Sequence, residues 1–349
     1  MNIELLEKLC CTYGVSGCEK EVTTIITNVM KNLCDDIYVD KLGNIVCTKF
    51  GTSDKTITLD AHIDSVGFIV NKIYDNGFIG FRTIGGIDVR ILSSQEVVIH
   101  GKKNICGIIT SKPPHITDKK DTDLNIKDMF IDTGLGSDVD KLISIGDLIS
   151  FRTHFDVLND KYISGTSLDD RAGVATIINI FKHYKDRKLP YNLVGLFSVR
   201  EEIGLKGAYF SKLKSDLMIV IDVTHAKTPD EKRDIAFECS KGVAIGYGPN
   251  IDKYYYDILI ENALNKNIPH QIEILEGNSG TNAWAYQTLR QGTPCLLLSL
   301  PLKYMHTPVE CISINDYDNM QMHLTEFLDN IHLNKIKTNN LIYAGDAIG

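Results

Sequence analysis

In Ile57-Thr58-Leu59-Asp60-Ala61-His62-Ile63-Asp64 the short apolar stretch 57–59 runs directly into Ala61-His62-Ile63-Asp64 and reads as a strand that delivers a histidine and an aspartate where it ends. Upstream, Leu5, Leu6 and Leu9, then Val22, Ile25, Ile26 and Val29, recur at helical spacing, so two helices open the chain. Short apolar stretches at 37–39 and 45–48 separate them from the histidine strand. Downstream, after about residue 161, helix and strand patterns alternate. A helix at 171–184 carries Ala172, Val174, Ala175, Ile177, Ile178 and Phe181 on its apolar positions. Strands at 192–199, 217–221, 271–275 and 295–300 and helices at 254–265, 281–290 and 314–331 continue the pattern. This alternation predicts an α/β fold: a three-layer domain with a mainly parallel central sheet and helices on both faces.

Between residues 66 and 155 the pattern changes. Short β-type segments at 67–73, 78–83, 96–100, 105–109 and 148–151 are separated by Gly, Asp and Pro turns. They predict a smaller β-rich, barrel-like domain inserted into the larger one, which would then comprise residues 1–65 and 156–349. The polar loop 111–128, with Pro113 and Pro114, reads as mobile, and Lys119 and Lys120 within it as solvated charges.

A chain of 349 residues with 43% hydrophobic content can bury a large core. No apolar run approaches the roughly 18 residues that a membrane span needs. Residues 1–10 carry Glu4 and Glu7 and lack the basic-then-apolar order of a signal peptide, so a cytoplasmic location is expected. The nine cysteines are odd in number and scattered, with Cys10 next to Cys11, which suits reduced thiols better than a disulfide framework. A net charge of −8 argues against nucleic-acid binding through phosphate neutralisation.

Metal-capable side chains fall at equivalent places. His62 follows one strand, Glu201 and Glu202 follow a second, Asp222 ends a third, His306 comes just after a fourth, and Asp169 and Asp170 precede a helix. In an open α/β sheet the ligand site lies beyond the carboxyl ends of the strands, so these residues are expected to converge there. Two histidines and several carboxylates are what a pair of divalent cations requires, one carboxylate bridging between them. Such ligands suit zinc, cobalt or manganese. A carboxylate outside the ligand set could move a proton, and the adjacent Glu201-Glu202 pair offers both roles. Asp64 reads as the partner that orients His62.

Taken singly, each element has an ordinary explanation. His62-Ile63-Asp64 could be a strand end with a turn aspartate, Asp169-Asp170-Arg171 a helix cap with a first-turn acid, and His306 or His225 a loop histidine. Glu201-Glu202 could be a solvated pair, although the apolar segments on either side make a surface face unexpected. Joint occurrence at strand ends favours the site. No GxSxG elbow, HExxH or P-loop motif is present.

Five segments, His62-Ile63-Asp64, Ser167-Leu168-Asp169-Asp170-Arg171-Ala172-Gly173, Arg200-Glu201-Glu202-Ile203-Gly204-Leu205-Lys206-Gly207-Ala208, Ile221-Asp222-Val223-Thr224-His225-Ala226 and Tyr304-Met305-His306-Thr307-Pro308-Val309-Glu310, resemble the signatures of the tetrahedral metallo-aminopeptidases. That family includes glutamyl and deblocking aminopeptidases and proteins labelled cellulase or endoglucanase. The resemblance implies that His62 and Asp222 bind one metal, Glu202 and His306 the other, and Asp169 both, with Glu201 as general base. It further implies peptide substrates with a free N-terminus, two divalent ions per subunit (zinc or cobalt, with manganese as a third option), dimerisation through the β-rich insert, and a hollow twelve-subunit tetrahedron. One departure stands out: Asn282 takes a place where aspartate is expected, with bulky Trp284 nearby. The competing expectations are an endoglucanase-type glycoside hydrolase and a non-catalytic peptide-binding protein on the same fold.

Overall fold

The computed structural model describes residues 3–111, 125–229, 236–289 and 292–331. Most of the loop read as mobile, from 112 to 124, lies outside the described residues.

The central strands are buried along nearly their whole length rather than at alternate residues, as strands covered on both faces must be. They are β3 (Thr56–His62), β12 (Asn192–Ser198), β13 (Leu217–His225) and β16 (Cys295–Lys303), lying side by side in the order β12-β3-β13-β16 and all parallel. Antiparallel strands extend both edges. On one side stand β2 (Ile45–Lys49) and β1 (Asp36–Val39), and on the other β17 (Glu310–Ser313), β11 (Tyr162–Gly165) and β10 (Phe155–Leu158). A short parallel pair, β14 (Val243–Tyr247) and β15 (His270–Ile274), joins through β16. Because the four central strands are parallel, their carboxyl ends, and the residues that follow them, share one edge.

Helices cover both faces, as the register shows. Gly195 of β12 pairs with Leu59, and a side chain there would meet Phe181 and Ile177 of α3 (Leu168–His183) at 3.1–3.2 Å. Asp60, one residue on and therefore on the opposite face, accepts a hydrogen bond from Asn282 of α6 (Asn282–Tyr286). Residues 168–181 of α3 are all buried, so this helix is packed on every side. The remaining helices are α1 (Ile3–Cys10), α2 (Lys20–Met30), α4 (Lys206–Phe210), α5 (Lys253–Lys266) and α7 (Ile314–Asn330).

A second core is built on alternation. Strands β4 (Gly67–Ile73), β5 (Ile79–Ile84), β6 (Glu96–His100), β7 (Asn104–Thr110), β8 (Phe130–Asp132) and β9 (Leu148–Phe151) close into a barrel in the order β4-β5-β8-β7-β6-β9. Phe68 sits at its centre, with Phe81 and Phe151 edge-on to it at 5.3 and 5.1 Å. Closure leaves no free sheet edge.

Strands β8, β10, β11, β14 and β17 and helix α4 have no counterpart in the sequence reading, and the expected elements β13 and α6 differ in extent. Strand β13 continues past residue 221 because β16 pairs with it as far as His225 and Leu302, so Asp222 lies within the strand. Helix α6 is five residues long rather than ten. Thr281 caps its start, and the chain then turns toward Gly292, at positive φ, and Pro294. Strand β8, at three residues, is too short to display a period.

Candidate metal centre

His62 ends β3, Asp222 lies on β13, Glu201 and Glu202 follow β12, Asp169 begins α3 and His306 follows β16. The fold brings five of these together as two groups of donor atoms, each within 4.8 Å: His62, Asp169 and Asp222 in one, Asp169, Glu202 and His306 in the other. Asp169 belongs to both. Its Oδ1 lies 2.9 Å from His62 Nε2 and its Oδ2 lies 3.3 Å from His306 Nε2, which is also 3.3 Å from Glu202 Oε2. Glu201 is in neither group, yet it lines the same cavity of about 260 Å³.

Both imidazoles are held from behind. His62 Nδ1 donates to the Asp64 backbone carbonyl at 3.1 Å, and His306 Nδ1 donates to the Gly86 carbonyl at 2.6 Å. A carbonyl can only accept, so each Nδ1 carries the hydrogen and each Nε2 is directed at the carboxylates. Gly86 lies in the loop after β5, so the barrel supplies one of these supports. The Asp64 carboxylate has a further set of contacts beyond His62. It accepts the backbone N–H groups of Glu201 at 2.9 Å and Glu202 at 3.2 Å and the Ser16 hydroxyl at 2.6 Å, and stands 3.6 Å from His62 Nδ1. Asp64 therefore fixes the turn that presents both glutamates.

Local backbone strain concentrates here. Ser167, Arg200, Tyr304 and His306 adopt φ of 60°, 57°, 60° and 61°, a region that non-glycine residues enter at a cost. Each sits at or next to a segment carrying a candidate ligand. Gly173 is needed for packing, since a side chain there would lie 2.4 Å from the Asp170 carboxylate, whose Oδ1 accepts the Gly173 N–H and so caps α3.

Glu310 is a site residue that the sequence did not single out. Its buried carboxylate accepts the N–H of His306 at 2.8 Å and of Asp169 at 3.1 Å, clipping the two segments together. The available signal was a lone acid opening an otherwise apolar strand. Asn282 faces away from the cavity: its amide donates to Asp60 and to the Ser198 hydroxyl, each at 2.8 Å. Burial already pushes Asp60 up to about 6, with Ser198 and Asn282 opposing. An aspartate at 282 would set a second buried carboxyl against it, whereas the amide supplies a donor.

The charge balance is unfavourable without cations. Burial pushes Glu201 up to about 9, His62 opposing and Asp222 and Glu202 adding to the rise. Burial likewise lifts Asp222 to about 8 against the pull of His62, and it raises Glu202 against the hydrogen bond from His306. Burial disfavours a charged His306, but the Asp169 and Glu202 carboxylates overcome this and hold it up at about 11. Burial would raise Asp169 too, but hydrogen bonds from His306 and His62 keep it well below the usual carboxylate range.

These shifts predict a pH dependence for the metal-free protein. Glu201 and Asp222 titrate near 4 when unfolded, so the folded state binds more protons than the unfolded one between about pH 4 and 9. Stability is then full below that window and falls as pH rises through it. The raised His306 acts in the same direction above about pH 6.5. The Tm of chelated protein should therefore drop from pH 5 to pH 9, and added divalent metal should flatten the slope. A Tm that climbs over this range in chelator would contradict the cluster as described.

Two histidines and four carboxylates gathered at one sheet edge define a candidate metal-dependent hydrolase. The chain belongs to the M42 glutamyl aminopeptidase family, which it matches over residues 43–322. It is 31% identical to lysyl aminopeptidase of Pyrococcus furiosus over 326 residues, covering 90% of this chain and 93% of that one. Among solved structures it resembles the TET aminopeptidase of Thaumarchaeota archaeon SCGC AB-539-E09, with TM-score 0.91, 30% identity and coverage of 95% and 97%. It also resembles the Pyrococcus horikoshii TET1 peptidase, which can assemble into a tetrahedron or a large octahedral shell, with TM-score 0.84, 30% identity and coverage of 95% and 100%.

Proposed function

We propose that the protein is an aminopeptidase that holds two divalent ions and releases N-terminal residues from peptides with a free amine. The observation that carries this reading is Asp169, whose two oxygens face two different histidines and so divide five donors into two sets with one shared member. The donor set fits the group. Imidazole and carboxylate suit zinc, cobalt or manganese, and the four formal charges of Asp169, Glu201, Glu202 and Asp222 equal those of two dications. His62 and Asp222 would hold one ion, Glu202 and His306 the other, and Asp169 both. When bound, the ions would polarise the scissile carbonyl and acidify water.

The chain's own groups supply the rest. Glu201, outside both donor sets, accepts the proton of the attacking water and returns it to the departing amine. Asp64 holds the Glu201-Glu202 turn, Glu310 ties His306 to Asp169, and the carbonyls of Asp64 and Gly86 keep both Nε2 atoms turned toward the centre.

The domain division at 66 and 155 belongs to this proposal, supported by the separate cores of the barrel and the large sheet. So do dimerisation through the barrel and assembly into a twelve-subunit shell, supported by the assembling P. horikoshii structure. A cytoplasmic location is supported by nine unpaired cysteines, and no described helix is long and apolar enough to cross a membrane.

The test is a set of parallel assays on a free-amine peptide, its N-acetylated form and a soluble β-glucan. The free-amine peptide should be cleaved, the acetylated one spared and the glucan untouched. Chelation should lower the rate by on the order of 100-fold or more, since such ions contribute several kcal/mol to the transition state. Metal-dependent glucan cleavage without peptide cleavage would establish the glycosidase instead. Two histidines at the same sheet edge have no place in a mechanism built on two carboxyls. Inertness toward all three would support the binding-protein alternative.

A further inference from the structure

Glu273, on β15, enters the same cavity from outside the metal-binding set. One of its carboxylate oxygens accepts the Thr224 hydroxyl at 2.7 Å, and the other is buried with no hydrogen-bond partner. Thr224 lies two residues beyond Asp222 on β13, on the same face and about 7 Å along the strand. The acid and the candidate ligands therefore line one cavity. Leu297 and Met305 also line this cavity, while Gly246, the ladder neighbour of Glu273, contributes no side chain. Among the described residues no lysine or arginine lines the cavity. Ser299, at its floor, also has a hydroxyl without a hydrogen bond, although it stands near enough to Glu273 to favour the charged carboxylate.

A buried carboxylate oxygen without a donor is costly, so the arrangement calls for one from the ligand. A cavity lined by apolar side chains as well as this acid matches a side chain with an apolar stem and a cationic head. We propose that Glu273 makes the enzyme select peptides whose N-terminal residue is lysine or arginine, an inference that rests on the aminopeptidase reading above. Burial raises the Glu273 carboxyl, with the Thr224 and Ser299 hydroxyls opposing, and an incoming ammonium would restore its charged form.

The experiment compares kcat/KM for lysyl, arginyl, norleucyl and glutamyl fluorogenic substrates with wild-type enzyme and Glu273→Gln. Norleucine keeps much of the lysine stem and lacks the ammonium. Wild type should favour lysyl over norleucyl by about 10–100-fold, the range expected for a hydrogen bond to a charged group, and glutamyl should be the poorest. Glu273→Gln should reduce the lysyl-to-norleucyl ratio at least tenfold. If wild type cleaves norleucyl as well as lysyl, the Glu273 assignment is overturned while the aminopeptidase reading stands, and this comparison needs no variant. An undiminished ratio in Glu273→Gln overturns the assignment equally. Cleavage of none of the four overturns both.

Discussion

Glu201→Gln is expected to keep two metals per chain and lose about 10²–10⁴-fold in kcat, the usual contribution of a positioned general base. Glutamine has the size and shape of glutamate, so the cavity is unchanged. The hydrogen bond that fixes position 201 runs from its backbone N–H to Asp64 and does not involve the side chain. Because the Glu201 carboxyl belongs to neither donor group, its loss leaves both ion positions with their full set. Stability should not suffer either: burial makes the Glu201 charge unfavourable, and an amide removes it. Metal analysis and thermal melting beside steady-state kinetics would check this. Wild-type turnover would remove Glu201 from the mechanism, and loss of one metal would make it a ligand.

How far such roles are legible in the sequence differs by residue. Apolar runs such as 217–221 announce strands covered on both faces, and parallel strands place their ends together, so the order of elements along the chain is enough to group His62, Glu202, Asp222 and His306. Partners fixed by side-chain direction are not legible in this way. Gly86 meets His306, and Glu310 meets Asp169, only because the loop after β5 and the start of β17 pass beside them, and no local pattern encodes either meeting. Asp64 reads in the sequence as support for His62, and what the sequence does not show is its second contact, with the Glu201-Glu202 backbone, which depends on a turn 137 residues away. Glu273 lies on an ordinary alternating strand. Only the twist that brings Thr224 of β13 against it shows that this acid faces the cavity.

Asp169→Asn should be the more severe lesion, because a single substitution reaches both donor groups. An amide offers one acceptor and one donor where the carboxylate offers two acceptors. Whichever way the side chain is turned, an N–H₂ group meets one of the two positions now facing Oδ1 and Oδ2. Two cations about 3.5–4 Å apart also lose the negative charge that offsets their repulsion. Metal content is expected to fall from two to one or fewer per chain and kcat by on the order of 10³-fold or more, whereas Asp222→Asn should deplete one position and leave the other occupied. The fold should persist in both, since Asp169 is tied to Glu310 by its backbone N–H rather than by its carboxylate. Titrating each variant with zinc or cobalt by calorimetry separates the cases, and an Asp169→Asn protein that still takes up two ions with wild-type affinity would rule out the bridge.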